Sequence, residues 1–164
     1  MTDTKHDITL TVNGNERELS VKPQALLIHA LREDLGYTGP KVGCESTLCG
    51  ACTVRMDGDP IKACTVLAVR ADGAEITTVE GLADGDKLHP LQESFQEEHG
   101  LQCGYCTPGM LMTASSLLEE NPDPSREEIR DSIEGNLCRC TGYHNIVDAI
   151  ESASDKLSVS EEAD

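Results

Sequence analysis

Eight cysteines in two widely separated sets constrain this chain more than any other feature. The first set is Cys44, Cys49, Cys52 and Cys64, and the second set is Cys103, Cys106, Cys138 and Cys140. The start of the chain lacks the basic residues and apolar run of a secretory leader, and no apolar stretch approaches membrane-spanning length. We therefore expect a cytoplasmic protein without membrane insertion, whose cysteines bind metal or take part in redox chemistry rather than form disulfides.

The charge of the chain is strongly acidic. It has 30 Asp and Glu against 13 Lys and Arg, a formal net charge of −17. Nucleic acids and anionic membranes require clustered basic residues, so the composition predicts neither as a partner. The acidic residues are spread along the chain, which favours a generally solvated surface, as in proteins of a salty cytoplasm, over a dedicated acidic electron-transfer face.

The first half, residues 1–82, has the pattern of an α+β domain. Alternating runs on either side of the Asn13-Gly14 dipeptide predict a β-hairpin. Apolar spacing after Pro23 predicts a helix that ends near Gly36. The expected strands are 8–12, 16–21, 52–56, 63–69 and 75–79, with a turn at 57–60 between the third and the fourth. Strands around one helix suggest a compact fold similar to a ubiquitin-like roll.

The second half, residues 83–157, is predicted to be helical. Aromatic residues make up only 2% of the chain, so each small half lacks the large side chains that usually anchor a core. Bound metal would therefore supply useful folding free energy. The expected helices are 89–98, 107–120 with Thr107 as N-cap and Pro108 at the first helical position, one opened by the capping box at Ser125, and 144–157. The acidic tail 158–164 is expected to be disordered.

The first cysteine set has the C-x4-C-x2-C spacing of plant-type ferredoxins, with Cys64 as a distant fourth ligand. Three thiolates from one loop and a fourth from a later strand can converge on two neighbouring irons. Gly43 and Gly50 flank the ligands, where the backbone must turn and present N–H groups to sulfur. Structural zinc is the alternative, but it favours paired C-x2–4-C knuckles and this set has only one.

The second cysteine set is less specific. Cys103 and Cys106 form a C-x-x-C pair immediately before a predicted helix, whose positive end would stabilise an anionic cluster. Cys138 and Cys140 are two residues apart and cannot share a helix face, so residues 135–142 are expected to form an irregular turn. From spacing alone, a zinc site and a thioredoxin-like redox pair remain alternatives, although the latter lacks a preceding strand.

Three segments resemble the two-cluster iron–sulfur subunits and domains of the xanthine oxidase family of molybdenum hydroxylases. The family includes aerobic carbon monoxide dehydrogenases and aldehyde, xanthine, nicotinate and isoquinoline oxidoreductases. The resemblance extends from about residue 8 to residue 153. The matching segments are Gly43-Cys44 with Cys49-Gly-Ala-Cys52-Thr-Val54, Gln102-Cys-Gly-Tyr-Cys106-Thr-Pro-Gly-Met110, and Gly135-Asn-Leu-Cys138-Arg-Cys140-Thr-Gly-Tyr143.

The resemblance implies a β-grasp ferredoxin-like domain over 1–82 and a four-helix domain over 83–157, each holding one [2Fe–2S] cluster on its four cysteines. It also implies that the helical-domain cluster lies beside a molybdenum–pterin cofactor in a large subunit. Gln102 and Cys140 would lie near the pterin. The ferredoxin-like cluster would pass electrons to FAD in a medium subunit, within a hetero-oligomer such as a dimer of heterotrimers. No catalytic residue is expected in this chain.

Two other functions compete with that interpretation: a free-standing ferredoxin-like electron carrier and a structural zinc module. The histidines do not favour a Rieske-type centre, because none stands beside a cysteine with the required spacing. We interpret them as surface or helix-capping residues; they are His6, His29, His89, His99 and His144.

Overall fold

A computed structural model describes residues 4–161 and has an α+β architecture with a mixed sheet. In the described residues the strand order is β2-β1-β5-β3-β4. The β1–β5 pair is parallel, and the other neighbouring pairs are antiparallel. The strands are β1 His6–Val12, β2 Asn15–Val21, β3 Thr53–Met56, β4 Asp59–Lys62 and β5 Glu75–Thr77.

The predicted hairpin at the start of the chain is confirmed. Val12 pairs with Asn15 across the turn, and the two turn residues Asn13 and Gly14 have φ of 50° and 74°. Left-handed conformations at both central positions match the twist of the flanking strands, which is why Asn-Gly is favoured there. Alternate residues of β1 point into the core, as the alternating sequence indicates.

The helix predicted after Pro23 begins later than expected. The backbone N–H of Ala25 donates to the carbonyl of Lys22 at 2.9 Å, so the residues around Pro23 form a turn. Helix α1, Leu27–His29, follows and continues as a π-helical segment, Ala30–Asp34. The helix is therefore short, but its apolar residues are buried as the spacing predicted.

The strand predicted over 63–69 is wrong. Those residues form two short 3-10 turns, Ala63–Thr65 and Ala68–Ala71, and β4 precedes them. The turn is confined to Asp57-Gly58, so the strand already begins at the next residue. Pro60 is tolerated inside β4 because β4 is an edge strand, where one face of the backbone has no partner to bond.

Helices dominate the second half. They are α2 Pro90–Glu97, α3 Thr107–Glu120, α4 Arg126–Ile133 and α5 His144–Glu161. The predicted capping box at Ser125 is confirmed, and His89 forms another at α2. The N-cap of α3 is Cys106 rather than Thr107, so that prediction is wrong.

The last helix extends beyond its predicted end at Leu157. It continues to Glu161, and the Ser158 hydroxyl donates to the Ser154 carbonyl one turn earlier at 3.0 Å. The tail that we expected to be disordered from residue 158 is thus helical as far as residue 161. Residues 162–164 lie outside the described residues.

Each half has its own hydrophobic core. Leu10, Val54 and Ile76 from the sheet pack against α1 in the first. Phe95 and Ile150 are buried in the second, where α2 packs on α5. Helix α3 also packs against β3, so the two halves share an extended contact. No helix in residues 4–161 has the length and apolar character needed to cross a membrane.

Candidate iron–sulfur sites

The first cysteine loop lies between α1 and β3 and wraps around the Cys44 thiol. The backbone N–H groups of Ser46 and Cys49 both donate to Cys44 Sγ at 3.4 Å. The interaction with the Ser46 side chain, followed by these backbone contacts, lowers the pKa of Cys44 to about 6. A thiol held this way is readily deprotonated, which is the state that binds iron.

The backbone near the two glycines turns and presents N–H groups to sulfur as predicted, although the glycines themselves do not donate to Cys44. The N–H donors to Cys44 come from Ser46 and Cys49, not from the glycines. A Cβ added to Gly43 would lie 2.7 Å from Cys49 Sγ, so the absence of a side chain makes room for that thiol. Gly50 has a φ of 69° and provides a sharp turn between two cysteines.

The remaining cysteines of the first set lie together inside the domain. Burial, with the neighbouring Cys64 side chain acting in the same direction, raises the pKa of Cys52 to about 12. Cys64 lies in the 3-10 turn directly after β4, rather than on a strand as predicted. Burial raises the pKa of Cys49, and the electrostatic effects of the nearby Cys44 and Cys64 thiols act in the same direction. The structure therefore brings all four predicted ligands of the first set together, in the pairs Cys44–Cys49 and Cys52–Cys64.

The second cysteine set converges in the same pairwise manner. Burial raises the pKa of Cys106 to about 12, and the side chain of Cys138 contributes in the same direction. The side chain of Cys103 raises the pKa of Cys140. The pairs are therefore Cys106–Cys138 and Cys103–Cys140. Cys106 caps α3, so the set lies at the positive end of that helix, as predicted.

The segment between α4 and α5 forms the irregular turn that the C-x-C pair required. Tyr143 has a φ of 71°, and its hydroxyl accepts from the Cys138 backbone N–H at 2.9 Å and donates to the Asn136 carbonyl at 3.2 Å. The Thr141 hydroxyl lies 3.2 Å from Cys138 Sγ. Burial acts to raise the pKa of Cys138, but the hydrogen bonds from Thr141, Cys140 and Cys106 together outweigh it and the pKa is lowered.

The two cysteine loops touch each other. The backbone N–H of Leu137 donates to the carbonyl of Cys49 at 2.8 Å. A cleft of about 170 Å³ lies at this contact, lined by Cys49 from the first set and by Cys103, Cys106 and Cys140 from the second. The Tyr105 hydroxyl donates across it to the Val42 carbonyl at 2.6 Å. Sequence spacing predicted two sites but gave no indication that they adjoin.

The donor sets fit [2Fe–2S] clusters, in which each iron takes two protein ligands. Each set supplies four thiols in two pairs. Within residues 4–161, no three Cys, His, Asp or Glu side chains are placed to hold one metal ion. Thr107 Oγ1 follows Cys106 directly and is buried without a hydrogen-bond partner in the described part of the chain, which leaves a hydroxyl free for a group held there.

His29 is a site residue that the sequence did not single out. Its Nε2 lies 2.7 Å from a carboxylate oxygen of Glu45, and its Nδ1 lies 2.9 Å from one of Glu33. The hydrogen bond with Glu45 is the main cause of its raised pKa. Glu45 follows Cys44 directly and has a strained backbone with a φ of 53°. The hydrogen bond with His29 therefore holds this part of the first cysteine loop in place. The His29–Glu33 spacing was the available signal, since residues four apart adjoin on a helix.

Two family models match adjoining parts of the chain. Residues 10–82 match the 2Fe-2S iron-sulfur cluster binding domain, and residues 78–151 match the [2Fe-2S] binding domain. Each match contains one complete set of four cysteines. Together they extend over most of the chain.

Several characterised proteins are similar over nearly the whole chain. The nicotine 6-hydroxylase small subunit of Paenarthrobacter nicotinovorans is 49% identical, over 92% of this chain and 91% of that protein. The structure of quinoline 2-oxidoreductase from Pseudomonas putida 86 matches with a TM-score of 0.92 and 51% identity, over 96% of this chain and 99% of that chain. Aldehyde oxidoreductase of Megalodesulfovibrio gigas is 50% identical over 88% of this chain, which is 16% of that longer protein.

The matched domains, the paired cysteines and these relatives agree. Both cysteine sets lie in models that describe [2Fe–2S] binding, and the similarity includes the loops that carry them. The chain therefore belongs to the two-cluster iron–sulfur subunits of the xanthine oxidase family of molybdenum hydroxylases, and it is an iron–sulfur component of an oxidoreductase.

Proposed function

We propose that the chain relays single electrons from a molybdenum–pterin cofactor in a large partner subunit to FAD in a medium partner subunit. The single observation that carries this proposal is the hydrogen bond from Leu137 N–H to the Cys49 carbonyl at 2.8 Å. Leu137 is covalently bonded to Cys138, so one hydrogen bond joins a predicted ligand of each cluster. A relay requires this kind of close and fixed contact between its two centres.

The ligands of this relay are the eight cysteines. Cys44 with Cys49 and Cys52 with Cys64 would each hold one iron of the first cluster. Cys103 with Cys140 and Cys106 with Cys138 would do so for the second. When bound, each cluster supplies a one-electron redox centre, and each transfer moves one electron without making or breaking a bond in this chain. The protein contributes spacing, hydrogen bonds and local dielectric around the clusters.

The proposed direction rests on the family resemblance, and each site has exposed residues that could meet a partner subunit. Cys103, Cys140 and Gln102 are exposed, and Leu137 and Tyr105 keep 57% and 49% of their surface accessible beside them. Apolar side chains around an exposed cluster loop are the pattern of a protein interface. We assign this face to the molybdenum-bearing subunit, with Gln102 and Cys140 next to the pterin.

A second exposed region lies at the first cluster loop and is assigned to the flavin-bearing subunit. Cys44 is exposed there, and Leu48 keeps 71% of its surface accessible. In this arrangement the four helices of residues 83–157 act as the entry domain for electrons, and the ferredoxin-like residues 1–82 act as the exit domain. The relatives include proteins described as small subunits, which supports a hetero-oligomer.

Purification of the tagged chain from its native host tests this function. We expect it to bring down a larger subunit containing molybdenum and a medium subunit containing flavin. In the isolated complex, substrate should reduce the helical-domain cluster before the flavin. Recovery of the loaded chain as a monomer without such partners would instead identify a free-standing electron carrier.

A further inference from the structure

Asn136 lies where three segments that carry the predicted ligands meet. Its side-chain Nδ2 donates to the carbonyl of Gly50 at 3.1 Å, in the first cysteine loop between Cys49 and Cys52. Its Oδ1 accepts from the Thr113 hydroxyl at 3.0 Å, on the helix that begins at Cys106. Asn136 itself precedes Cys138 by two residues. One amide group therefore contacts the segments of both cysteine sets.

The amide is held rigidly in place. Asn136 is 3% exposed. Its backbone N–H donates to the Ile133 carbonyl at 2.8 Å, and its carbonyl accepts from the Tyr143 hydroxyl at 3.2 Å. Rotation of the side chain would leave the buried amide's own donor and acceptor without these partners, which costs about 1–3 kcal/mol per group. The side chain thus has one strongly preferred orientation.

The surrounding backbone permits little adjustment of this contact. A Cβ added to Gly50 would lie 2.7 Å from Cγ of Asn136, and a Cβ added to Gly109 would lie 2.1 Å from the Gly50 carbonyl oxygen. Both glycines are therefore required for the two loops to approach each other this closely. The distance between the loops depends on this close packing and on the hydrogen bonds that Asn136 makes across it.

We propose that Asn136 is a positioning residue that fixes the distance between the two clusters and thereby the rate at which one electron passes between them. This inference rests on the proposed relay. It assigns to the Asn136 side chain a role distinct from ligand binding and from core packing, because the side chain connects the loops without contacting a thiol.

Two substitutions separate this role from a merely structural one. Asn136→Ala removes both side-chain bonds, but the Gly50 carbonyl keeps Thr53 as a donor at 2.7 Å and stays satisfied. Asn136→Asp keeps the shape and the acceptor for Thr113, but places an anionic oxygen against the Gly50 carbonyl. Asn145→Ala is the control, because Asn145 Nδ2 also bonds a backbone carbonyl, that of Glu98 at 2.8 Å, but this bond does not join the two cysteine loops.

The experiment uses the intact complex with both clusters loaded. It measures iron content, the paramagnetic signal of each cluster, the magnetic interaction between the two reduced clusters, and the rate of electron equilibration between them. We expect both Asn136 variants to keep both signals, to lose magnetic interaction, and to equilibrate electrons more slowly by about tenfold, the scale on which outer-shell partners of metal ligands affect activity. The Asn145 variant should match the wild type.

Either of two results would overturn the inference. One is an unchanged interaction and rate in Asn136→Ala with both clusters present. The other is loss of a cluster in both variants, which would make Asn136 a support of the ligand loop and not a spacer. A wild-type complex without two interacting clusters would refute the proposed function instead, so the two failures are distinguishable.

Discussion

The backbone N–H of Leu137 donates to the carbonyl of Cys49 across 2.8 Å, at the point where the two cysteine loops meet. Leu137 precedes Cys138, so a short path of covalent bonds and one hydrogen bond leads from one predicted ligand set to the other. The Asn136 amide bonds the adjacent Gly50 in parallel with it. In the proposed relay, these contacts would join the two clusters into one electron path.

The two clusters should nevertheless be separable by mutation, because each cysteine set lies in its own fold unit with its own core. We expect Cys64→Ala to lose the ferredoxin-like cluster and Cys138→Ala to lose the helical-domain cluster. Each variant should keep about two of four irons and one of two paramagnetic signals. Loss of all iron from either single variant would contradict this separation.

Gly109→Ala should be destabilising well beyond an ordinary helix substitution. The new Cβ would lie 2.1 Å from the Gly50 carbonyl oxygen, so α3 would be forced away from the first loop. We expect a loss of about 1–3 kcal/mol in unfolding free energy. Weaker magnetic interaction between the clusters should accompany it.

Gly85→Ala is the control for Gly109, since Gly85 faces open space at a φ of 57°. That variant should cost only backbone strain and leave the interaction between the clusters unchanged. Equal interaction in the two variants would show that the Gly50–Gly109 approach does not set the spacing.

The stability of the helical half should depend on the protonation of His89. Its Nδ1 accepts from the Leu91 N–H at 3.2 Å, so the neutral ring is the capping form, and burial lowers the pKa of His89. At this residue the folded state binds protons less readily than the unfolded state. The stabilisation is therefore complete above the unfolded pKa of about 6.5 and is lost as the pH falls through the lowered pKa.

Melting temperature as a function of pH tests the role of His89. His89→Asn keeps a capping side chain and removes the titration, so its melting temperature should fall less than that of the wild type below about pH 6.5. His89→Ala should cost about 1 kcal/mol at neutral pH through loss of the cap. Parallel pH profiles for His89→Asn and the wild type would refute this account.

Thr107→Val tests whether the unpartnered hydroxyl serves the cluster held by Cys106. Hydrogen bonds to cluster sulfurs stabilise the added electron. We therefore expect a more negative reduction potential for the helical-domain cluster, while the potential of the ferredoxin-like cluster stays constant as an internal control. Without the cluster, a buried hydroxyl that has no partner contributes nothing favourable, so the cluster-free variant should be as stable as the cluster-free wild type or more stable. Unchanged potentials would mean that Thr107 does not contact the cluster.

Local patterns predicted much of the fold. The Asn13-Gly14 hairpin and the Ser125 capping box are confirmed because their signals lie within a few residues. The strand predicted over the apolar run 63–69, which contains Cys64, is wrong because the backbone there forms 3-10 turns. Periodicity reports burial, and burial does not distinguish a strand from a tightly packed turn.

The sequence predicted which cysteines group together but not how the two groups are arranged. Spacing indicated the first set on its own, and the second set only with the help of the family resemblance. It could not show that Asn136 bonds Gly50, because those residues are 86 positions apart and their meeting depends on the packing of α3 against β3. The role of His29 was missed for the same reason, as its partner Glu45 comes from another segment.

Metal analysis combined with paramagnetic resonance of the reduced, intact protein tests whether the chain holds two interacting [2Fe–2S] clusters. We expect about four irons with matching acid-labile sulfide, and two distinct reduced [2Fe–2S] signals that interact magnetically. Zinc without iron, or a single cluster signal from the fully loaded chain, would contradict this expectation.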